Sequence, residues 1–217
     1  MKKYTFILVV FSLIFILLVG LKTENPSFES TNYYLTKDIE YTSANYAIDI
    51  NKEEEVIGFS DYVFIAKIVE EKGTFYKYVK RTSSGREIGT PYTYYSVIVV
   101  ENLKGELLKS EEIEINKYGG RVLNKDKLLL LEGDIFFKPG KYYLIMASAQ
   151  SDGSLLQTAP TAYFEFNELE FSKIKESNKY DYFIEKVKNQ VKYERKRFKA
   201  NKDNSTDWFS SMLEHAC

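Results

Sequence analysis

Three observations predict a mainly β fold. Between residues 52 and 167, short runs rich in Val, Ile, Tyr and Phe are separated by clusters of Gly, Pro, Ser and Asp. No long amphipathic helix interrupts them, and five or six such runs follow one another. A small closed barrel or a sandwich satisfies that pattern. The chain has 217 residues, 44% hydrophobic and 28% charged, enough for one domain with appendages and not the composition of a disordered or collagenous chain.

The N-terminus comes first. Lys2 and Lys3 precede an apolar run over residues 6–21, broken only by Ser12 and Gly20. That is the charged start and hydrophobic core of an export signal. Its length lies between a signal core and a spanning helix, so a cleaved signal and an uncleaved anchor both stay open. Signal peptidase wants small residues at two positions one apart, yet the first alanine is Ala44 and the best site, after Gly20, places bulky Leu18 in the other pocket. Cleavage is therefore expected to be inefficient, and the paired lysines favour an N-terminus held inside. The expected location is extracytoplasmic: a single-pass membrane protein or a secreted one. Residues 22–51 read as a polar spacer, rich in Ser, Thr, Asn and Tyr and lacking sustained periodicity.

An acidic segment, residues 52–58, suggests one or two helical turns. The first strand is expected over residues 62–69, and a polar excursion through Ser83, Ser84, Gly85, Gly89 and Pro91 separates it from a second over 92–101. Tyr95, Val97 and Val99 take one face of that strand, and Tyr94, Ile98 and Val100 the other, which predicts a central position. Residues 112–118 alternate Ile113 and Ile115 against Glu114 and Asn116, as a half-exposed strand should. A leucine run follows at 127–131. A two-sided strand over 142–149 and short strands near 155–158 and 162–166 complete the domain.

Residues 168–217 change character. Ile184, Val187, Val191 and Phe198 recur at helical spacing among Lys186, Lys188, Lys192, Arg195, Lys196, Arg197 and Lys199, predicting a long basic amphipathic helix followed by a polar tail. Residues 21–172 hold 17 Lys/Arg against 24 Asp/Glu, whereas residues 173–202 hold 11 against 4, so a near-neutral total conceals a dipolar chain. Two readings of the helix compete: packing on the acidic body with solvated lysines, or contact of Lys192, Arg195, Lys196 and Arg197 with anionic lipid or a cell-wall polymer. Nucleic acid is disfavoured, because export removes the usual partner and the barrel region is acidic.

The order of the motifs resembles a known family. Ser60, Asp61 and Tyr62 leading into the apolar run to Val69, then Tyr95 to Val100 entering Asn102, Leu103, Lys104 and Gly105, then the Ile113 strand, then Pro139, Gly140 and Lys141 before Tyr142 to Ile145 are similar to the core of netrin-module domains. The tissue inhibitors of metalloproteinases and a class of uncharacterised exported Gram-positive proteins show that order. The resemblance spans about half the chain and implies an OB-like barrel of five to six strands. The animal inhibitors chelate a protease's zinc through an N-terminal cysteine, and no cysteine stands there in this chain, so their inhibitory residues are not carried over. An Ig-like sandwich is the alternative, without the Cys, Trp, Cys pattern that would support it.

Chemistry is read by subtraction. The single His215 and single Cys217 lie in the last three residues, which leaves no Cys-His pair or clustered Cys/His metal site in the body. No nucleophile elbow, zincin, Walker or dinucleotide spacing is present. Asn124, Asp126, Glu132 and Asp134 lack the alternating calcium loop and read as ordinary loop polarity. The expectation is a non-enzymatic binding protein without cofactor or metal, with a secreted hydrolase or protease-inhibitor-like protein on the same barrel as the alternative. Tyrosines on strands pack a ring while the hydroxyl reaches water, and Tyr92 and Tyr94, beside residues 72–89, are the candidate ligand-facing pair.

Overall fold

The computed structural model describes residues 38–109, 111–167 and 173–204. No helix among them is long and apolar enough to cross a membrane. The run at 6–21, which carries the signal or anchor expectation, lies outside the described residues, as do His215 and Cys217.

The described chain is mainly β. Strand β1 (Ile39–Thr42) and helix α1 (Glu53–Phe59) precede the long strands β2 (Tyr62–Arg81) and β3 (Glu87–Lys104). Then come β4 (Glu112–Tyr118), β5 (Gly120–Arg121), β6 (Leu128–Leu131), β7 (Tyr142–Ala149), β8 (Leu155–Gln157) and β9 (Tyr163–Phe166). A 3-10 turn (Ile174–Glu176) leads into helix α2 (Asn178–Lys188), whose first turn is capped by Ser177 accepting from the Tyr180 amide. Six strands form one sheet in the order β2-β3-β4-β8-β7-β9, and β2 pairs with β7 as well. The pairing β4–β8 is parallel and the others in that sheet are antiparallel. A second, three-stranded sheet runs β1-β6-β5.

Period-two alternation builds two cores from the same strands. Phe64, Ala66 and Ile68 of β2 point to one side with Tyr143, Ile145 and Ala147 of β7, where they meet Tyr95, Val97 and Val99 of β3 and Ile113 and Ile115 of β4. Val63, Ile65, Leu144 and Met146 point to the other side, where Val56 and Ile57 of α1, Phe166 of β9 and Phe183 of α2 cover them. Each fully buried aliphatic or aromatic side chain contributes about 1.5–3 kcal/mol. Strands β2 and β7 are apolar on both faces because helices lie on one face and the inner core on the other.

Three expectations change. The segment 72–89 is not an excursion but the outer half of the β2–β3 hairpin, whose turn is closed by Thr82 and Arg86. Polar residues are no obstacle on a solvated ribbon, and the aromatic pairs Phe75–Tyr92 and Phe75–Tyr94 hold it together. The extra residues are absorbed as bulges, at Gly73 with φ 107° and at Tyr78 with φ 55°. The spacer is also docked over its described part. Residues 39–42 pair in parallel with β6, and Tyr46, Ile48 and Ile50 pack on the outer core.

The third change is the C-terminal helix, which stops at Lys188. Residues 190–204 form an extended strap without regular secondary structure up to an isolated bridge between Asp203 and Leu107. Alternate residues of the strap face α1, a period of two rather than 3.6. The Val191 amide donates to Glu54 O at 3.0 Å, Tyr193 Oη donates to Glu55 at 2.9 Å, and Arg195 and Arg197 reach the last carbonyls of the helix. Arg195 donates to Phe59 O at 2.6 Å and Arg197 to Gly58 O at 2.7 Å, and both guanidinium groups meet Asp61 Oδ1, at 2.7 and 2.8 Å. Helix α1 has three glutamates in its first turn and no cation in its last; the strap supplies the positive charge its C-terminus favours. The strap runs so close that a Cβ on Gly58 would lie 1.8 Å from Val191 O.

Asp61→Ala is therefore expected to destabilise the fold by about 3 kcal/mol, the lower end for a buried ion pair stripped of one partner. Limited trypsin digestion should then cut at Arg195 and Arg197 before it cuts elsewhere; an unchanged urea midpoint and digestion pattern would contradict the account. A second outcome concerns pH. Lys104 donates to Ile57 O at 2.7 Å beside the two arginines, and burial, then Arg197, lower its pKa to about 8. The unfolded chain, with lysine near 10.5, then holds more protons than the folded chain between about pH 8 and 10.5, so stability rises with pH across that window. Denaturation curves of Lys104→Met should show a smaller rise than the parent chain.

Candidate ligand groove

The outer face of β2, β3 and β4 carries the site. Register sets Gly73 against Tyr94 and Tyr94 against Asn116, and Phe75 against Tyr92 and Tyr92 against Tyr118. Alternation therefore brings Phe75, Tyr92, Tyr94, Ser96, Glu114 and Asn116 to the face opposite the inner core. Along this face runs an open groove of about 460 Å³, within the size range of small-molecule clefts.

Its floor is aromatic and polar. Phe75 stacks on Tyr94 with ring centroids 4.1 Å apart and on Tyr92 at 5.5 Å. Lys77 Nζ lies 5.1 Å from the centre of the Tyr92 ring. Lys72 pairs with Glu114 at 3.3 Å, and Ser96 Oγ donates to Glu112. Asn116 is 6% exposed, and its Oδ1 accepts no hydrogen bond among the described residues. A buried amide oxygen without a donor costs about 1–3 kcal/mol.

Two walls close the groove. The β7–β8 turn supplies Asp152, whose carboxylate accepts from Ser154 Oγ and N and is held below the usual carboxylate range by those bonds. The strap supplies Asn201, whose backbone N–H donates to Gly153 O at 2.9 Å. Gly153 has φ 77°, and a Cβ there would lie 2.0 Å from Asn201 Oδ1, so the turn requires glycine.

Of the residues singled out in the sequence, Tyr94 lines the groove. Tyr92 stands beside it and lines a smaller cavity of about 220 Å³ with Tyr46 and Tyr118; burial raises its phenol pKa. Lys192, Arg195, Lys196 and Arg197 do not form one cationic helix face. Arg195 and Arg197 turn onto α1, while Lys192 and Lys196 are exposed. Asn124, Asp126, Glu132 and Asp134 do not converge, and no group of three potential metal ligands occurs among the described residues.

Sequence reasoning missed the polar cluster on the other face of β4. Lys117 is 1% exposed inside the inner layer, 2.6 Å from Asp134 Oδ1 and hydrogen-bonded to Gln157 Oε1, with the Phe137 ring 4.3 Å away. Asp134 also accepts from the Ile135 amide, and Gln157 Nε2 donates to Ala159 O, so each member has its partners. Burial pushes the Lys117 amine below its usual pKa and the Asp134 carboxyl above its own, each opposed by the other's charge. The signal was available: continuing Ile113 and Ile115 by two places Lys117 on the apolar side.

No protein-family model matches the chain, and no curated protein matches it.

Lys117→Met alone leaves the Asp134 carboxyl buried without its cation and is expected to cost about 3–5 kcal/mol. The double variant Lys117→Met with Asp134→Leu should recover most of that loss in urea unfolding. Additive losses would show that the pair does not act as a unit.

Proposed function

We propose that the chain is an exported, non-enzymatic binding protein, held at the cell surface or secreted, that presents this groove on an OB-like barrel. Support for the barrel comes from the pairings β2–β3, β3–β4, β4–β8, β8–β7 and β7–β2, which return to the strand they start from. Counting those five strands in chain order, the groove lies on the second and third. It is walled by the loop between the fourth and fifth and flanked by the outer hairpin of the first and second. OB barrels bind extended polymers at that face and those loops. Export is supported by Lys2, Lys3 and the apolar run at 6–21. Of the four basic residues first assigned to a polyanion, Lys192 and Lys196 are the two left to meet anionic lipid or a wall polymer.

The observation that carries the reading is the half-buried Tyr94 on Phe75 beside the unpartnered Asn116 oxygen, an arrangement suited to a bound ring and a donor. Tyr94→Ser is expected to lower retention on purified cell-wall material about tenfold, equivalent to about 1.4 kcal/mol, with the circular dichroism spectrum unchanged. Unaltered retention by a folded variant would remove the groove from the binding role. Cell fractionation with the intact mass of the exported form tests export and cleavage together.

A further inference from the structure

We infer that the groove takes an uncharged sugar chain, an inference that rests on the groove being the binding face. Charge is the first argument. The groove is lined by three lysines, Lys72, Lys77 and Lys202, and three carboxylates, Glu112, Glu114 and Asp152. The lysines are already engaged: Lys72 with Glu114, Lys202 with Glu111 at 2.9 Å, and Lys77 over the Phe75 and Tyr92 rings. The two signs balance, three against three, so a polyanion would face the carboxylates and a polycation the lysines.

Backbone pairing is the second argument. A peptide that adds as a strand needs a free sheet edge. Around Tyr94 and Asn116 β3 is paired on both sides, with β2 and β4, and β4 is paired with β3 and, over residues 115 and 116, with β8; residues 112–114 of β4 lack a second partner strand among the described residues. That leaves three residues of edge for main-chain addition, and recognition around Tyr94 and Asn116 is by side chains.

The third argument is what those side chains ask for. Tyr94 and Phe75 make a flat apolar step, which fits the C–H face of a pyranose ring. Directly across the register from Tyr94, Asn116 presents a buried amide oxygen that needs a donor. Asp152 and Asn201 add polar groups from the two walls. A molecule that places hydroxyl or amide donors around the edge of a flat apolar face, and carries no charge, meets all three conditions. Sugars do so.

The test uses the full chain and four probes: the uncharged β-1,4 tetramers of N-acetylglucosamine and of glucose, the cationic glucosamine tetramer, and poly(glycerol phosphate). Binding is read by calorimetry and by amide shifts in NMR spectra. At least one uncharged tetramer should bind with little salt dependence and shift residues around Tyr94 and Asn116. Tyr94→Ser and Asn116→Leu should each weaken it about tenfold. Because Asn116 Oδ1 has no partner to lose, Asn116→Leu should leave the urea midpoint unchanged or raised, which separates a ligand contact from a structural role. Groove shifts caused only by the cationic tetramer or the phosphate polymer would overturn an uncharged sugar chain as the ligand and keep the groove as the binding face. No groove shift from any probe, with wall retention unaffected by Tyr94→Ser, would overturn both.

Discussion

The Asp61 carboxylate joins three stretches of chain that lie far apart in sequence. One oxygen accepts from Arg195 and Arg197 of the strap, and the other accepts from the Ala149 amide at the end of β7. Asp61 itself sits between the end of α1 and the start of β2. Its side chain is only 6% exposed, so the charge is tolerable only because two guanidinium groups and an amide surround it. The same contact orients the strap, and the strap goes on to donate to Gly153 and to wall the groove. The groove's shape thus depends on an electrostatic junction at the C-terminal end of α1. That structural duty accounts for a carboxylate at the start of β2.

Adjacent residues of β4 show two fates of a buried polar group, one satisfied and one not. Lys117 faces inward and finds a carboxylate, an amide oxygen and an aromatic ring, so its buried charge is paired and hydrogen-bonded. Asn116 faces outward under the β7–β8 turn and leaves its amide oxygen without a donor. A satisfied buried network specifies how strands pack; an unsatisfied acceptor in a groove carries an energetic penalty that a ligand can remove. The period of two that separates these neighbours is the reason one strand holds both.

Much of the β architecture was legible because it is local. The limits of β4 and β7, the place of β9, helical turns close to 53–59 and the central place of β3 follow from alternation, turn residues and β-branched content. The outer hairpin was not legible. Its polar residues read as loop, and only the partner strand supplies the stacking that orders them. The place of Tyr94 on an exposed strand face was readable from its segment, whereas its neighbours Phe75 and Asn116 needed the register, which no single segment contains. The basic region misled for a related reason. Val191 and Phe198 fit a helical period, but Tyr193, Arg195 and Arg197 fit a period of two, and which period prevails is decided by the helix end they reach.

The amino-acid order by itself therefore determined the class of fold, the run of strands, the apolar segment at 6–21 and the uneven distribution of charge, since these depend on neighbouring residues. Tertiary structure alone decided that two arginines would neutralise Asp61 and cap α1, that Lys117 would be buried beside Asp134, and that a groove would open between β4, the β7–β8 turn and the strap. Each of those joins residues separated by many positions, and their energies come from desolvation and hydrogen-bond geometry that exist only once the distant segments meet.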